Sequence, residues 1–266
     1  MRTVSKAKGT TSGMWARLLA RTGRPFGKNA RSAKRMTEAS VSSSTPKRPT
    51  RTFRSFFAHT HTLGFDPAVC IDVGAAAGTE TFYQAFPKAL HIAFEPLPDF
   101  HDKLAERLKG LHHEIHHCAL MEENGELEIL RTEHNLFGSS MMHRREAGNP
   151  RLVKVPVRRL DDVMSRHDLS GQILLKTDCQ GADLLVIKGG EATLNAADVV
   201  IMETSFFPFW GDHHPVFFEI VSYMNERGFV VYDILDGLFR PSDHALGQVD
   251  LVFVKKDGFL RRSNTW

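Results

Sequence analysis

The chain has 266 residues, of which 42% are hydrophobic and 24% are charged, as in a soluble globular protein with one α/β domain and a tail. No run of about 18 apolar residues occurs, so we expect no transmembrane helix. The three cysteines form no Cys-x-x-Cys pair, which argues against a disulfide framework or a zinc ribbon and favours a reducing, cytoplasmic setting.

Charge is divided unevenly along the chain. Residues 1–56 hold 14 Lys or Arg and one acid, whereas the remainder holds 20 basic and 30 acidic residues, so the net charge changes from +13 to −10. Because the body is acidic, we expect no nucleic-acid substrate. Residues 1–52 are predicted to be a basic, disordered tail, since they cannot bury enough apolar area to fold. An organelle transit peptide and a membrane-surface or nucleic-acid anchor are the alternative interpretations.

The body, residues 53–260, alternates strand-like and helix-like segments, which predicts a mostly parallel sheet covered by helices and closed by an antiparallel edge strand. Strands are predicted over residues 68–73, 89–95, 112–120, 125–131, 152–160, 172–178, 198–204, 229–235 and 249–256. Helices are predicted from about residue 79, over 99–110, from about residue 183 and over 214–228. The last helix is expected to hold Pro215 in its first turn and Gly228 at its end.

A glycine-rich turn follows the first predicted strand. Asp72, Gly74 and Gly78 stand at this turn, and Glu95 ends the next strand. Ligands of open α/β sheets bind at the carboxyl ends of the strands, where glycines let the backbone approach and an acid accepts hydrogen bonds from ribose hydroxyls. The pattern therefore predicts a nucleoside site.

The spacing of the glycines narrows the choice of nucleotide. The dinucleotide fingerprint G-x-G-x-x-G lacks its second glycine here, and no Walker lysine follows. A nucleoside with a small charged tail, such as S-adenosyl-L-methionine, fits better, with Asp72 orienting the cationic amino-acid end. A nicotinamide-dependent oxidoreductase and a non-catalytic nucleotide-binding protein are the alternatives.

Seven segments, in this order, resemble the FkbM methyltransferase domain over roughly residues 57–256: "CIDVGAAAGTET", "AFEPLPDFHDKL", "CALMEENGELEI", "FGSSM", "VPVRRLDDV", "LLKTDCQGADLLVIKGG" and "VVIMETSF". The resemblance implies a Rossmann-like class I methyltransferase fold with a mostly parallel, seven-stranded sheet and helices on both faces. It also implies S-adenosyl-L-methionine as donor and a hydroxyl acceptor on a sugar, a polyketide or another small molecule.

The resemblance also implies roles for single residues. Those that would bind the donor are Asp72, Gly74, Gly78, Glu95, Cys118, Ala119, Ser139 and Ser140. Asp178 and Gly181 match the loop that faces the methyl group. The family commonly has Asn in place of Ala76 and Glu in place of Gln180 and Asp183.

Three side chains are candidates for the base that removes the acceptor proton. Asp178 ends a buried strand beside the expected methyl group, although it would serve equally to cap the following turn. His213 and His214 titrate near neutral pH, but capping of the next helix is their alternative role. The segment "SFFPFWGDHH" lines an acceptor pocket or packs on the core. The histidines at 112, 113, 116 and 117 fall on two faces of a strand, so we expect no metal site.

Overall fold

The computed structural model describes residues 50–131, 151–211, 213–263 and 265–266. They form a seven-stranded main sheet, a three-stranded second sheet and seven α-helices. The strands are β1 (Val69–Val73), β2 (Leu90–Phe94), β3 (His113–His116), β4 (Ala119–Leu120), β5 (Gly125–Leu130), β6 (Leu152–Arg158), β7 (Ile173–Thr177), β8 (Val199–Ser205), β9 (Phe229–Phe239) and β10 (Leu246–Lys255). The helices are α1 (Phe53–Thr62), α2 (Glu80–Ala85), α3 (Pro98–Leu108), α4 (Leu160–Met164), α5 (Asp183–Lys188), α6 (Glu191–Ala196) and α7 (Phe217–Glu226).

The main sheet has the strand order β3-β2-β1-β7-β8-β10-β9. The first five of these strands are mutually parallel, and β10 is antiparallel to both of its neighbours. The chain moves outward in one direction from β1 through β2 and β3, and in the other direction from β7 onward. The strand order therefore reverses between β1 and β7, which is where open α/β sheets bind their ligands.

Both faces of the main sheet are covered, which explains why its central strands are continuous apolar runs. Cys70, Leu174 and Ile201 belong to a core shared with α1, α2 and α3. Ile71 and Leu175 belong to a core on the opposite face, shared with α4 to α7. The predicted mostly parallel, seven-stranded sheet with helices on both faces is confirmed.

The prediction of one strand over residues 112–120 is wrong. β3 ends at His116 in the main sheet, and β4 begins at Ala119 in the second sheet, where it pairs with β6. The imidazole of His116 stacks on Phe94 of the main sheet, whereas that of His117 stacks on His101 of α3 with ring centroids 3.6 Å apart. Two successive side chains are thus held by different elements, and the chain leaves the main sheet between them.

The second sheet has a small core of its own. Its buried members are Leu97, Phe100, Ala119, Leu127, Ile129, Val155 and Val157. Ala76 and Ala77 of the glycine-rich turn pack against this core. The second sheet therefore supports one side of the predicted donor site.

Helix α7 starts later than the sequence predicts. Its first residue is Phe217, and the N–H of Val216 donates to the carboxylate of Glu219 at 3.2 Å. Pro215 precedes the helix, so its predicted place in the first turn is wrong; the bond to Glu219 fixes the start after it. Gly228 follows the helix at φ +79°, as predicted. In the described residues, no helix is long and apolar enough to cross a membrane.

The body makes its first contacts within the last residues of the predicted tail. The backbone of Arg51 forms a bridge to Leu235 of β9, and its guanidinium pairs with Asp233. The hydroxyl of Thr52 accepts a hydrogen bond from the N–H of Ser55 and caps α1. Residues 1–49 lie outside the described part of the chain.

Candidate active site

The turn after β1 is built for close approach of two backbone segments. The N–H groups of Gly74 and Ala75 both donate to the carbonyl oxygen of Phe94 at 3.0 Å, which joins the end of β1 to that of β2. Gly74 has φ +73°, and a Cβ at this position would lie 2.1 Å from the carbonyl oxygen of Asp178. Only glycine therefore lets this turn touch the loop that follows β7.

Gly78 closes the same turn against α3. Its N–H donates to the carbonyl oxygen of Ala75 at 2.7 Å, and its φ is +95°. A Cβ at this position would lie 2.8 Å from Cγ of Arg107. The two glycines thus form a tight turn, in which Gly74 contacts the loop after β7 and Gly78 contacts α3.

Ala76, which lies between Gly74 and Gly78, adopts φ +47°, a left-handed conformation that is strained for a residue with a Cβ. We expect Ala76→Gly to raise the free energy of unfolding by about 0.5 kcal/mol, because relief of about 1–2 kcal/mol of strain exceeds the entropy cost of glycine. Urea denaturation would measure the change.

The matched control for Ala76 is Ala77, which has no positive φ. Ala77→Gly should lower the free energy of unfolding by about 0.5–1 kcal/mol, because it adds only unfolded-state entropy. Equal losses in the two variants would show that position 76 is unstrained.

Glu95 lies directly beside the glycine-rich turn. Its carboxylate accepts hydrogen bonds from the N–H of Ala76 at 2.8 Å and from the N–H of Leu97 at 2.7 Å, and the residue is 4% exposed. Burial raises the pKa of Glu95 to about 7, against the lowering effect of the two N–H donors. The predicted ribose acid and the predicted glycine turn are thus in direct contact.

Asp72 is buried at the end of β1 in a polar cluster. Its Oδ2 accepts from the hydroxyl of Tyr83 at 2.7 Å, and its Oδ1 lies 3.5 Å from Nζ of Lys176. Nζ also lies 3.4 Å from Oδ2 of Asp178. Burial alone would lower the pKa of Lys176, but Asp178 and Asp72 raise it above its usual range. Lys176 therefore joins two predicted site residues as a buried ammonium ion.

The acidic side chain at the end of β8 joins the same region. Nε2 of Gln180 lies 3.3 Å from Oδ1 of Asp178 and 3.1 Å from Oε2 of Glu203. Nε2 of Gln248, on β10, donates to Oε1 of Glu203 at 2.6 Å. Lys176 and Glu203 were not identified from sequence; the signal was one charged residue within each of the buried runs "ILLKT" and "VVIMETS".

The loop after β8 covers the loop after β7. A Cβ at Gly181 would lie 2.5 Å from Cδ1 of Trp210 and 2.9 Å from Nε2 of His214, so these side chains lie against the Asp178 loop. His214 is buried, and burial lowers its pKa, whereas His213 is exposed. Of the two predicted histidines, only His214 is thus shown in contact with the site; Asp212 lies outside the described residues.

The aromatic residues of this loop are divided between the core and the surface. Phe206 stacks on Phe217 with ring centroids 5.1 Å apart and packs against the main core. The guanidinium of Arg240 lies 4.1 Å above the ring of Phe207, and Phe209 is 43% exposed. Core packing is therefore shown for Phe206, and an acceptor pocket lined by the other aromatic residues stays a prediction.

The predicted adenine-side residues lie beyond β3. Cys118 is buried and lines a cavity of about 310 Å³ together with His116, His117 and Arg158. Ala119 packs in the core of the second sheet. Ser139 and Ser140 fall outside the described residues. Within the described ranges, no three His, Cys, Asp or Glu side chains are grouped to hold a metal.

A glycine turn and a buried acid at the strand-order reversal of a mostly parallel sheet are typical of α/β proteins that bind a nucleoside. The family model described as "Methyltransferase FkbM domain" matches residues 72–231, more than half of the chain. The chain belongs to this family. The predicted family is confirmed, and the match favours a methyltransferase that uses S-adenosyl-L-methionine over the alternative of a nicotinamide-dependent oxidoreductase.

Individual relatives are more distant. The 2-O-methyltransferase NoeI of Sinorhizobium fredii is 29% identical over 156 residues, which cover 53% of this chain and 64% of that protein, so the chain spans less than two thirds of this relative. An rRNA methylase from Streptococcus thermophilus has 12% identity and a TM-score of 0.42, over 76% of this chain and 93% of that one. The precorrin-6y C5,15-methyltransferase of Geobacter metallireducens has 10% identity and a TM-score of 0.42, over 76% and 87%. The family match, rather than these structures, identifies the chain.

Proposed function

We propose that the protein transfers a methyl group from S-adenosyl-L-methionine to a hydroxyl of a small molecule or glycan. The observation that carries the proposal is the contact between the glycine turn and Glu95, at the reversal of strand order. The 2-O-methyltransferase NoeI, which the chain partly resembles, supports oxygen as the accepting atom.

In this proposal the donor lies across the carboxyl ends of β1 and β2. Gly74 and Gly78 let the backbone approach it, and Glu95 accepts hydrogen bonds from the ribose hydroxyls. Asp72 attracts the cationic amino-acid end, and Cys118 and Ala119 border the adenine; Ser140, the third residue predicted there, lies outside the described residues. The donor supplies an activated methyl group on a sulfonium.

The acceptor binds over the loop after β7, where Asp178 and His214 line the reacting end. The aromatic residues of the β8 loop form one wall of its pocket. We favour a small molecule or glycan over a nucleic acid because residues 57–266 hold 20 basic and 30 acidic residues, and carboxylates repel phosphates. Three free cysteines favour a reducing compartment such as the cytoplasm.

The donor site is tested by Glu95→Gln. Ribose hydroxyls bind best to the ionised carboxylate, whose pKa of about 7 lies within the accessible pH range. The Kd for S-adenosylhomocysteine should therefore be about tenfold weaker at pH 6 than at pH 8, as only the ionised fraction binds well. Glu95→Gln should weaken binding at pH 8 about 10- to 100-fold, the loss of a charged hydrogen bond, and remove this pH dependence. Calorimetry would measure both.

The exposed Glu106 on α3 offers a matched control, since Glu106→Gln changes the same charge away from the turn. Its Kd should equal that of the unchanged protein. Full binding by Glu95→Gln at both pH values would remove Glu95 from the donor site.

The acceptor is found by counting S-adenosylhomocysteine release over a panel of methyl glycosides, hydroxylated polyketides and RNA oligonucleotides. We expect turnover with an alcohol from the first two groups. Turnover on RNA alone would contradict the acceptor class, and binding of the donor without any turnover would contradict methyl transfer to these acceptors.

A further inference from the structure

Asp178 and Glu203 form a pair of carboxylates at the carboxyl edge of the main sheet. The Nε2 of Gln180 lies within 3.3 Å of both and so links the end of β7 to the end of β8. The backbone of Asp178 touches the turn at Gly74, and Gln180 links Glu203 to Asp178. Both carboxylates are therefore placed next to the predicted position of the donor.

The two carboxylates differ in what neutralises them. Asp178 lies 3.4 Å from the ammonium of Lys176, so its charge is balanced by an ion pair. Among the described residues, none forms an ion pair with Glu203. Its hydrogen-bond donors are the neutral amides of Gln180 and Gln248, which orient the carboxylate without cancelling its charge.

The surroundings of Glu203 also favour proton uptake. Burial, and then the neighbouring carboxylates, raise the pKa of Glu203 well above its usual range, while one cation opposes them. The carboxylates are Asp178 in the loop after β7, Asp183 of α5 and Asp250 of β10. The cation is Lys176 of β7. Glu203 remains partly exposed.

On the basis of the proposed hydroxyl methylation, we propose that Glu203, held by Gln180 and Gln248, is the base that takes the acceptor proton. The acceptor oxygen forms a bond to the methyl carbon while the carbon–sulfur bond breaks. The electron pair of that bond goes to sulfur and leaves S-adenosylhomocysteine. The hydroxyl proton goes to the carboxylate of Glu203, and Asp178 with Lys176 fixes the geometry beside it.

The direct test compares Glu203→Gln with Asp178→Asn, using the acceptor found in the panel. Glu203→Gln should lower kcat by about 10²- to 10⁴-fold, the usual contribution of a base, and leave the Kd for S-adenosylhomocysteine within about twofold. The rise of kcat/KM with pH, which reports ionisation of the base, should vanish in Glu203→Gln and persist in Asp178→Asn. Glu128→Gln, at an exposed position on β5, is the control and should behave as the unchanged protein.

A second variant tests the base without altering its carboxylate. Gln248→Leu removes one donor to the ionised form, so the rise of kcat/KM should move to higher pH. This result keeps the test valid if Glu203→Gln does not fold, as judged by its thermal transition.

Two results would overturn the inference: full kcat with an unchanged pH profile in Glu203→Gln, or loss of the rising limb in Asp178→Asn instead. Failure of the unchanged protein to bind S-adenosylhomocysteine is a different result, because it rejects the proposed function itself.

Discussion

Replacing Gly74 by alanine should lower the free energy of unfolding by about 3 kcal/mol or more and abolish donor binding. The added Cβ would lie 2.1 Å from the carbonyl oxygen of Asp178, so one of the two backbone segments must move. The positive φ adds about 1 kcal/mol of strain, and the overlap with a rigid backbone adds about 1–3 kcal/mol. Urea denaturation and calorimetry with S-adenosylhomocysteine would measure the two effects.

Gly64 provides the matched control for this substitution. It has φ +86°, yet no atom lies within 4 Å of a Cβ placed there. Gly64→Ala should therefore cost only the strain, about 1 kcal/mol, and leave donor binding intact. If both substitutions lowered the free energy of unfolding equally, the close contact between Gly74 and Asp178 would not contribute to the loss of stability.

Replacing Lys176 by methionine should lower the free energy of unfolding by about 3 kcal/mol at pH 7. The change leaves Asp72 buried without its cation, and breaking a buried pair usually costs about 3–5 kcal/mol. We take the lower value because the side chain of Asp178 is 38% exposed and water screens it. Urea denaturation at several pH values would measure the loss.

The pH dependence of this loss has a defined sign. Without the ammonium, acid neutralises the unpaired negative charge of the cluster, so the deficit in the free energy of unfolding shrinks as the pH falls toward about 4. Because the pKa of Lys176 is itself raised, its contribution in the unchanged protein is fully present below its usual pKa of 10.5 and is lost only above it. Lys188→Met on the half-exposed face of α5 should change stability by less than about 0.5 kcal/mol. A pH-independent loss at position 176 would argue against the buried ion pairs.

The main sheet was predictable because its central strands are short apolar runs followed by glycine, proline or acidic residues. The second sheet was not, since its first strand follows β3 after only two residues, His117 and Cys118, and no turn residue marks the break. Alternation of side chains fixes the face of a strand but does not reveal the sheet in which it pairs.

The contact between the glycine-rich turn and Glu95 was predictable, because Gly74, Gly78 and Glu95 lie close together in the sequence at the ends of adjacent strands. The charge cluster was not, since it depends on register between distant strands. Lys176 meets Asp72 because β1 and β7 pair in parallel with these two residues opposite each other. Glu203 meets Gln248 across β8 and β10, which are joined antiparallel and lie far apart in the sequence.

The packing of Ala76 and Ala77 on the core of the second sheet links the glycine-rich turn to that sheet. We expect a ligand that orders the turn at these alanines to stabilise β5 and β6 as well. By thermodynamic linkage, destabilising those strands should lower the binding free energy of the ligand by the same amount. Substitutions at Ile129 or Val157, in the core of the second sheet, would then change the affinity for the cosubstrate and leave the reaction beside the loop after β7 unchanged.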